Sequence, residues 1–117
     1  MNLKIIPLEI DTRNSGIEIV DIVIATLVPN FINPKIRLLR LPPNSIGGDH
    51  KHERREAFFT FDKGVYITYE NQSEDIVHEM VESKPKLFVL NPNVKHKIEN
   101  KSDKSVSVVE ILEDLDT

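Results

Sequence analysis

Asp62-Lys63-Gly64-Val65-Tyr66-Ile67-Thr68-Tyr69-Glu70 decides the fold class. From Val65 the run is β-branched and aromatic, the composition that fits a pleated, half-buried strand. Gly64 sits where the chain needs a left-handed residue. The Asp62-Lys63-Gly64 link therefore predicts a hairpin between this strand and the β-rich run from His50 to Phe61. By parity Tyr66 and Tyr69 fall on opposite faces, so at most one of them faces an interior. Working toward the C-terminus, Ile76–Val81 and Lys86–Leu90 read as further strands. Asn91-Pro92-Asn93 turns the chain, and Lys97–Glu99 and Ser105–Ile111 follow, joined by a turn at 100–104. Toward the N-terminus, Pro42-Pro43-Asn44-Ser45 is turn chemistry and Lys35–Leu41 is a strand bounded by Pro34. Ile17–Ile24 reads as another strand, and Leu3–Ile5 as a short one that Pro7 ends. The total is about eight or nine short strands with no useful amphipathic helix, which predicts a small all-β sandwich or barrel.

The composition bounds the rest. The 117 residues suit one domain, 1–117, with one core. Cysteine is absent, which removes disulfides, thiolate metal sites and thiol nucleophiles together. The net charge of −4 and the lack of a helix-turn-helix pattern argue against nucleic acid. The longest apolar run, Ile17 to Val28, carries Glu18 and Asp21 and is too short to span a membrane. With no recognisable leader the expected location is cytoplasmic. That run is also longer than one barrel strand needs, so a homodimer with N-terminal strands pairing across it is expected. The acidic tail Glu113–Thr117 is expected to fray. Only four glycines serve all these turns, and two of them, Gly47 and Gly48, are adjacent.

Chemistry gathers around the histidines. His50 and His52 are two apart, which on a strand puts both imidazoles on one face, and Glu56 keeps the same parity. His96 follows a turn some forty residues on. Three imidazoles and a carboxylate make a ligand set for a borderline divalent metal. By the same parity Phe58 shares the interior face. His78 lies apart and reads as an ordinary strand residue. Lys51, Arg54, Arg55 and Lys95 could hold phosphate, against the plainer reading of solvated surface charge.

Two segments resemble the motifs of the cupins, small jelly-roll barrels. The first is Asn44-Ser45-Ile46-Gly47-Gly48-Asp49-His50-Lys51-His52-Glu53-Arg54-Arg55-Glu56, closed by Gly64. The second is Asn91-Pro92-Asn93-Val94-Lys95-His96-Lys97-Ile98-Glu99-Asn100. The resemblance covers about residues 38–110. It implies a double-stranded β-helix, the cupin jelly roll, with a metal (iron, manganese, nickel, zinc or copper) held by His50, His52, Glu56 and His96. Asn44 and Asn93 stand where the family has turn glycines, and asparagine tolerates the same left-handed backbone. The Gly-rich HxH segment is also similar to that of cupin-type sugar isomerases and epimerases. That likeness implies a metal-free alternative in which His50 and His52 are acid and base on a sugar or sugar-phosphate. Tyr66 or Tyr69 would be a further proton donor, and Lys51, Arg54 and Phe58 would bind the substrate. The other readings are a ligand-sensing cupin and a metal-dependent dioxygenase.

Overall fold

The computed structural model describes residues 2–115. The elements are β1 (Leu3–Pro7), β2 (Asp11–Thr12), β3 (Glu18–Ile19), α1 (Ile24–Leu27), β4 (Pro34–Leu41) and β5 (Ser45–His50). They continue with β6 (Glu56–Phe59), β7 (Val65–Asn71), β8 (Glu74–Glu79), β9 (Lys86–Leu90), β10 (His96–Asn100) and β11 (Val106–Glu113). The strands form a five-stranded sheet in the order β1-β9-β6-β11-β4 and a four-stranded sheet in the order β5-β10-β7-β8. A small ribbon, β2-β3, stands outside them. The two large sheets face each other as a jelly-roll barrel.

The core between the sheets is apolar and comes from alternate positions. Leu41, Phe58, Ile67, Phe88, Ile98 and Val108 are among its members. The five-stranded sheet is apolar on its outer face as well, through Ala57, Phe59, Leu87 and Ile111. β6 is accordingly buried at every position, and β11 shows little alternation after Val109. A strand buried on both faces reads as a continuous apolar run.

That outer face explains a departure from the sequence reading. Ile17–Ile24 does not form one strand. It holds the two residues of β3 and then the start of the one-turn helix α1. Val20, Ile22, Ile24, Leu27 and Phe31 pack on the outer face of the five-stranded sheet. The apolar excess of this run is therefore satisfied within the chain. β1 pairs with β9 of the same chain on one side and is itself an edge of the sheet.

Two other expectations change. Asp62-Lys63-Gly64 does not close a hairpin, because β6 and β7 lie in different sheets. Gly64 is still left-handed, at φ +84°, as the link crosses over. His50–Phe61 is not one strand either. The chain leaves the four-stranded sheet after His50, passes through residues 51–55 and enters the other sheet at Glu56. The true hairpin is β7–β8, whose central residues Gln72 and Ser73 both have positive φ, as a tight two-residue turn requires. Glu113 does not fray. It ends β11 and is buried, its carboxylate accepting from the Arg55 amide at 2.7 Å and the Ile32 amide at 2.8 Å. Asp116 and Thr117 lie outside the described residues. Among the described residues no helix is long and apolar enough to cross a membrane.

Candidate active site

A backbone irregularity aims the first histidine. β10 pairs with β5 so that His96 lies opposite His50 and Ile98 lies opposite Gly47. One extra residue is therefore accommodated in β5 between Gly47 and His50. Gly48, at φ +69°, sits in this bulge. Bulges re-aim side chains, and glycine takes the left-handed backbone without strain. The result sets His50 against His96, with ring centroids 5.5 Å apart. His52, in the crossing that follows, lies 4.1 Å from His50 and 6.0 Å from His96. The His52 carbonyl accepts a hydrogen bond from the Asn93 amide at 2.6 Å, which ties the two histidine segments together. Asn44 and Asn93 have φ of +53° and +63°, so both asparagines do hold the left-handed turns expected of them.

Gly48 admits no side chain. A Cβ built there would lie 2.8 Å from Cε1 of the His50 ring. Gly48→Ala is therefore expected to displace His50, leaving the strand pairing largely in place. A crystal structure of the variant should show the moved ring. An unmoved ring would mean that the bulge does not position it.

The histidines line a cavity of mixed apolar and polar walls. The cavity encloses about 380 Å³. Leu39, Leu41, Phe58 and Ile98 contribute its apolar lining, and His50, His52, His96, Arg37, Arg54 and Glu110 contribute its polar lining. Phe58 meets His96 at 5.9 Å between centroids. A wider hollow of about 560 Å³, beside Leu8, Ile19 and Leu27, contains no histidine.

Glu56 is 1% exposed, and neither of its oxygens has a hydrogen-bond partner as an acceptor. Its Oε1 lies 3.5 Å from Nε2 of both His52 and His96. Burial, and after it the neighbouring Glu110 carboxyl, push its pKa up to about 9. A carboxyl buried beside a second carboxyl favours its neutral form, so Glu56 holds its proton at neutral pH. Glu110 lies 3.5 Å from the Arg37 guanidinium.

Burial, and after it electrostatic repulsion from His50 and Arg54, holds His52 down at about 4. Burial also lowers His96 despite its bond to Val94. The His96 Nδ1–H donates to the Val94 carbonyl at 2.9 Å, leaving the Nε2 lone pair turned toward Glu56. At neutral pH the cluster therefore holds neutral His52 and His96 above a protonated Glu56.

These shifts have opposite signs in stability. The folded state binds the Glu56 proton more tightly than the unfolded chain does, so stability falls as pH rises from about 4.5 to about 9. His52 binds its proton less tightly when folded, so stability rises between about 4 and 6.5. The two trends oppose each other below pH 6.5, and above it Glu56 acts alone. Wild type should therefore lose melting temperature between pH 7 and 9. Glu56→Gln, which keeps the shape without the titration, should flatten that loss. Parallel curves for the two proteins would refute the assignment.

The other sequence-level candidates divide. Arg54 lines the cavity, and its Nε is buried without a partner. Lys51 and Lys95 instead flank a smaller outer cleft beside His50 and Glu70. Arg55 is engaged internally, paired with Glu113 at 3.1 Å and donating to the Asn30 carbonyl at 2.6 Å. Neither tyrosine lines the cavity. Tyr66 lies under the Lys101 ammonium, and Tyr69 stacks on His78 within the core. His78 packs between Tyr69 and Phe88. Arg37 and Glu110 were not singled out from the sequence, although Glu110 shares parity with the buried Val106, Val108 and Leu112. A charge on an otherwise apolar face was the available signal.

The donor types fit a divalent metal, and the unpartnered oxygens of Glu56 fit a cation. Convergence does not. Among the described residues no three His, Asp or Glu side chains are arranged to hold one ion.

The same architecture recurs in solved structures. A 3,4-ketoisomerase from Helicobacter canadensis superposes with a TM-score of 0.77 at 16% identity, over 100% of this chain and 86% of that one. QdtA, a sugar 3,4-ketoisomerase from Thermoanaerobacterium thermosaccharolyticum solved with TDP, gives 0.79 at 16% identity, over 98% and 83%. The chain shares the fold of these sugar 3,4-ketoisomerases. CapF, a capsular polysaccharide assembling protein from Staphylococcus aureus, gives 0.64 at 16% identity over 93% of this chain and 31% of its own. No family model matches the sequence, and no curated protein matches it.

Proposed function

We propose that this chain is a sugar isomerase that moves a carbonyl between adjacent carbons of a nucleotide-linked keto sugar, as a 3,4-ketoisomerase does. The observation that carries the reading is the His50–His52 pair lining a half-apolar cavity. It is supported by the shared fold of QdtA, which was solved with TDP and, as a histidine-to-asparagine variant, with TDP-4-keto-6-deoxyglucose. His50, the exposed member, removes the proton on the carbon beside the carbonyl. The electron pair moves onto the carbonyl oxygen, giving an enediolate. The hydroxyl proton of the neighbouring carbon passes to that oxygen, a new carbonyl forms where the hydroxyl was, and the proton held by His50 returns at the former carbonyl carbon, so the step is redox-neutral. Neutral His52 donates its N–H to the developing oxyanion, a role suited to an imidazole that is not protonated. Phe58 and the leucines exclude water from the sugar, and Arg54 offers an unpartnered guanidinium N–H to an anionic group.

A second use of the cluster is a divalent metal on His50, His52, Glu56 and His96, favoured by the orphaned Glu56 oxygens. One experiment separates the readings. The protein is stripped with EDTA and incubated with TDP-4-keto-6-deoxyglucose in D₂O, and deuterium at the sugar carbons is followed by NMR. Exchange that survives stripping supports acid–base catalysis. Exchange that returns only with added divalent metal supports the metal site. No exchange in either state, with melting temperature still raised by TDP, would leave a ligand-sensing cupin. Oxygen uptake with Fe(II) would mean a dioxygenase.

A further inference from the structure

The crossing from β5 to β6 carries two kinds of side chain. His52 and Arg54 line the cavity. Arg55 instead reaches the end of β11 and the loop after α1. Residues 51–55 belong to no strand, so no ladder of hydrogen bonds holds them in place. Two ties act in its stead. At one end the Asn93 amide donates to the His52 carbonyl. At the other, Arg55 and Glu113 clasp each other. The Arg55 amide and Nε donate to Glu113 Oε1 at 2.7 Å and 3.2 Å, and Nη2 donates to Oε2 at 3.1 Å. The Glu113 amide returns a bond to the Arg55 carbonyl at 3.2 Å.

The clasp has a firm footing. Glu113 is buried, and its Oε2 also accepts from the Ile32 amide. The Arg55 guanidinium donates to the Asn30 carbonyl and lies 5.7 Å from the centroid of the Phe31 ring. Phe31 in turn packs on the outer face of the five-stranded sheet. A forked arginine–carboxylate pair fixes geometry as well as charge. Only Glu53 and Arg54 separate the two ties, so a shift of Arg55 carries Arg54 and His52 with it. Arg54 gives the crossing a reason to shift. Its Nε is buried with no partner, and an unsatisfied donor favours any conformation that lets it reach water.

We propose that Arg55 and Glu113 are a positioning pair, whose clasp holds the crossing so that His52 and Arg54 face the cavity. Neither residue lines the cavity itself, so both act through their neighbours. The effect on turnover rests on the isomerase reading of that cavity, and the effect on side-chain placement does not.

The test uses the full chain labelled with ¹⁵N. Arg55→Met removes the side-chain half of the clasp. Arg55→Lys keeps the charge without the fork, and it answers the question if Arg55→Met fails to fold. In NMR spectra of the variants the ring signals of His52 and the Nε signal of Arg54 should move, most in Arg55→Met. The signals of His78, which packs between Tyr69 and Phe88, should stay. With TDP-4-keto-6-deoxyglucose in D₂O, kcat for exchange should fall in Arg55→Met by up to about 10²-fold, the cost that a misplacement far from the chemistry can reach. Arg55→Lys should recover part of that loss. Unmoved His52 and Arg54 signals would overturn the proposal. So would an equal displacement of the His78 signals, the mark of a general loosening of the fold, or wild-type exchange in a variant whose His52 and Arg54 signals have moved. If the wild type itself shows no exchange, the isomerase reading fails, and the NMR signals still decide whether the clasp holds the crossing.

Discussion

The His50→Asn variant is expected to lose about 10²- to 10⁴-fold in deuterium exchange, the range a positioned general base contributes. It should fold as wild type does. His50 is exposed at the end of β5, and none of its side-chain contacts is a buried hydrogen bond. Surface changes away from buried networks usually fall within about 0.5 kcal/mol. TDP affinity should also hold, because the cations able to meet a diphosphate are unchanged. The expected signature is therefore a fall in kcat with KM nearly constant. His52→Asn should instead lower kcat less and keep the shape of the pH profile, because His52 is neutral above about pH 4 and does not titrate in the working range. An equal fall in metal content for both variants would point to ligands and not to acid–base partners. Full activity in His50→Asn would remove the proposed base altogether.

The sequence showed the strands more clearly than the path between them. β4, β7, β9, β10 and β11 all lie where period-two reading and turn residues put them. The histidine cluster was legible too, because HxH spacing and a distant histidine after a turn survive changes in the path between. Its geometry was not. Parity predicted an extended run from Asp49 to Phe61, yet the chain bulges at Gly48 and then changes sheets before Glu56. Alternation carries no information about which sheet a strand joins. The same ambiguity affected Ile17–Ile24. Its β-branched residues have strand propensity, but the outer face of the five-stranded sheet offers more burial to a segment lying across it. Parity groups Glu56 with the histidines but cannot reveal Glu110 beside it.

Asn100→Asp is the substitution expected to damage the fold most. Asn100 has no exposed surface. Its amide nitrogen donates to the carbonyls of Leu41 at 3.1 Å, Pro42 at 2.9 Å and Lys104 at 2.7 Å. Its amide oxygen accepts from the Ser102 amide at 2.9 Å and the Ser102 hydroxyl at 2.7 Å. One side chain thus fastens the end of β4 and the turn after β10 together. An ionised carboxylate keeps the acceptor half and loses the donor half, leaving carbonyl oxygens facing a negative charge. A buried polar group left unsatisfied costs about 1–3 kcal/mol, and more when charge is involved. Several are affected here, so a loss of roughly 3–5 kcal/mol is expected, a large share of the total stability of a small domain. Thermal melting at pH 7 should show a drop of more than about 10 °C. The deficit should shrink at low pH. The buried carboxyl takes up a proton more readily than its unfolded counterpart, so stability is regained as pH falls through the folded pKa, and the protonated acid can donate one bond again. A melting temperature near wild type at pH 7, or a deficit that does not narrow toward pH 4, would show that the Asn100 bonds do not hold β4 and the turn after β10 together.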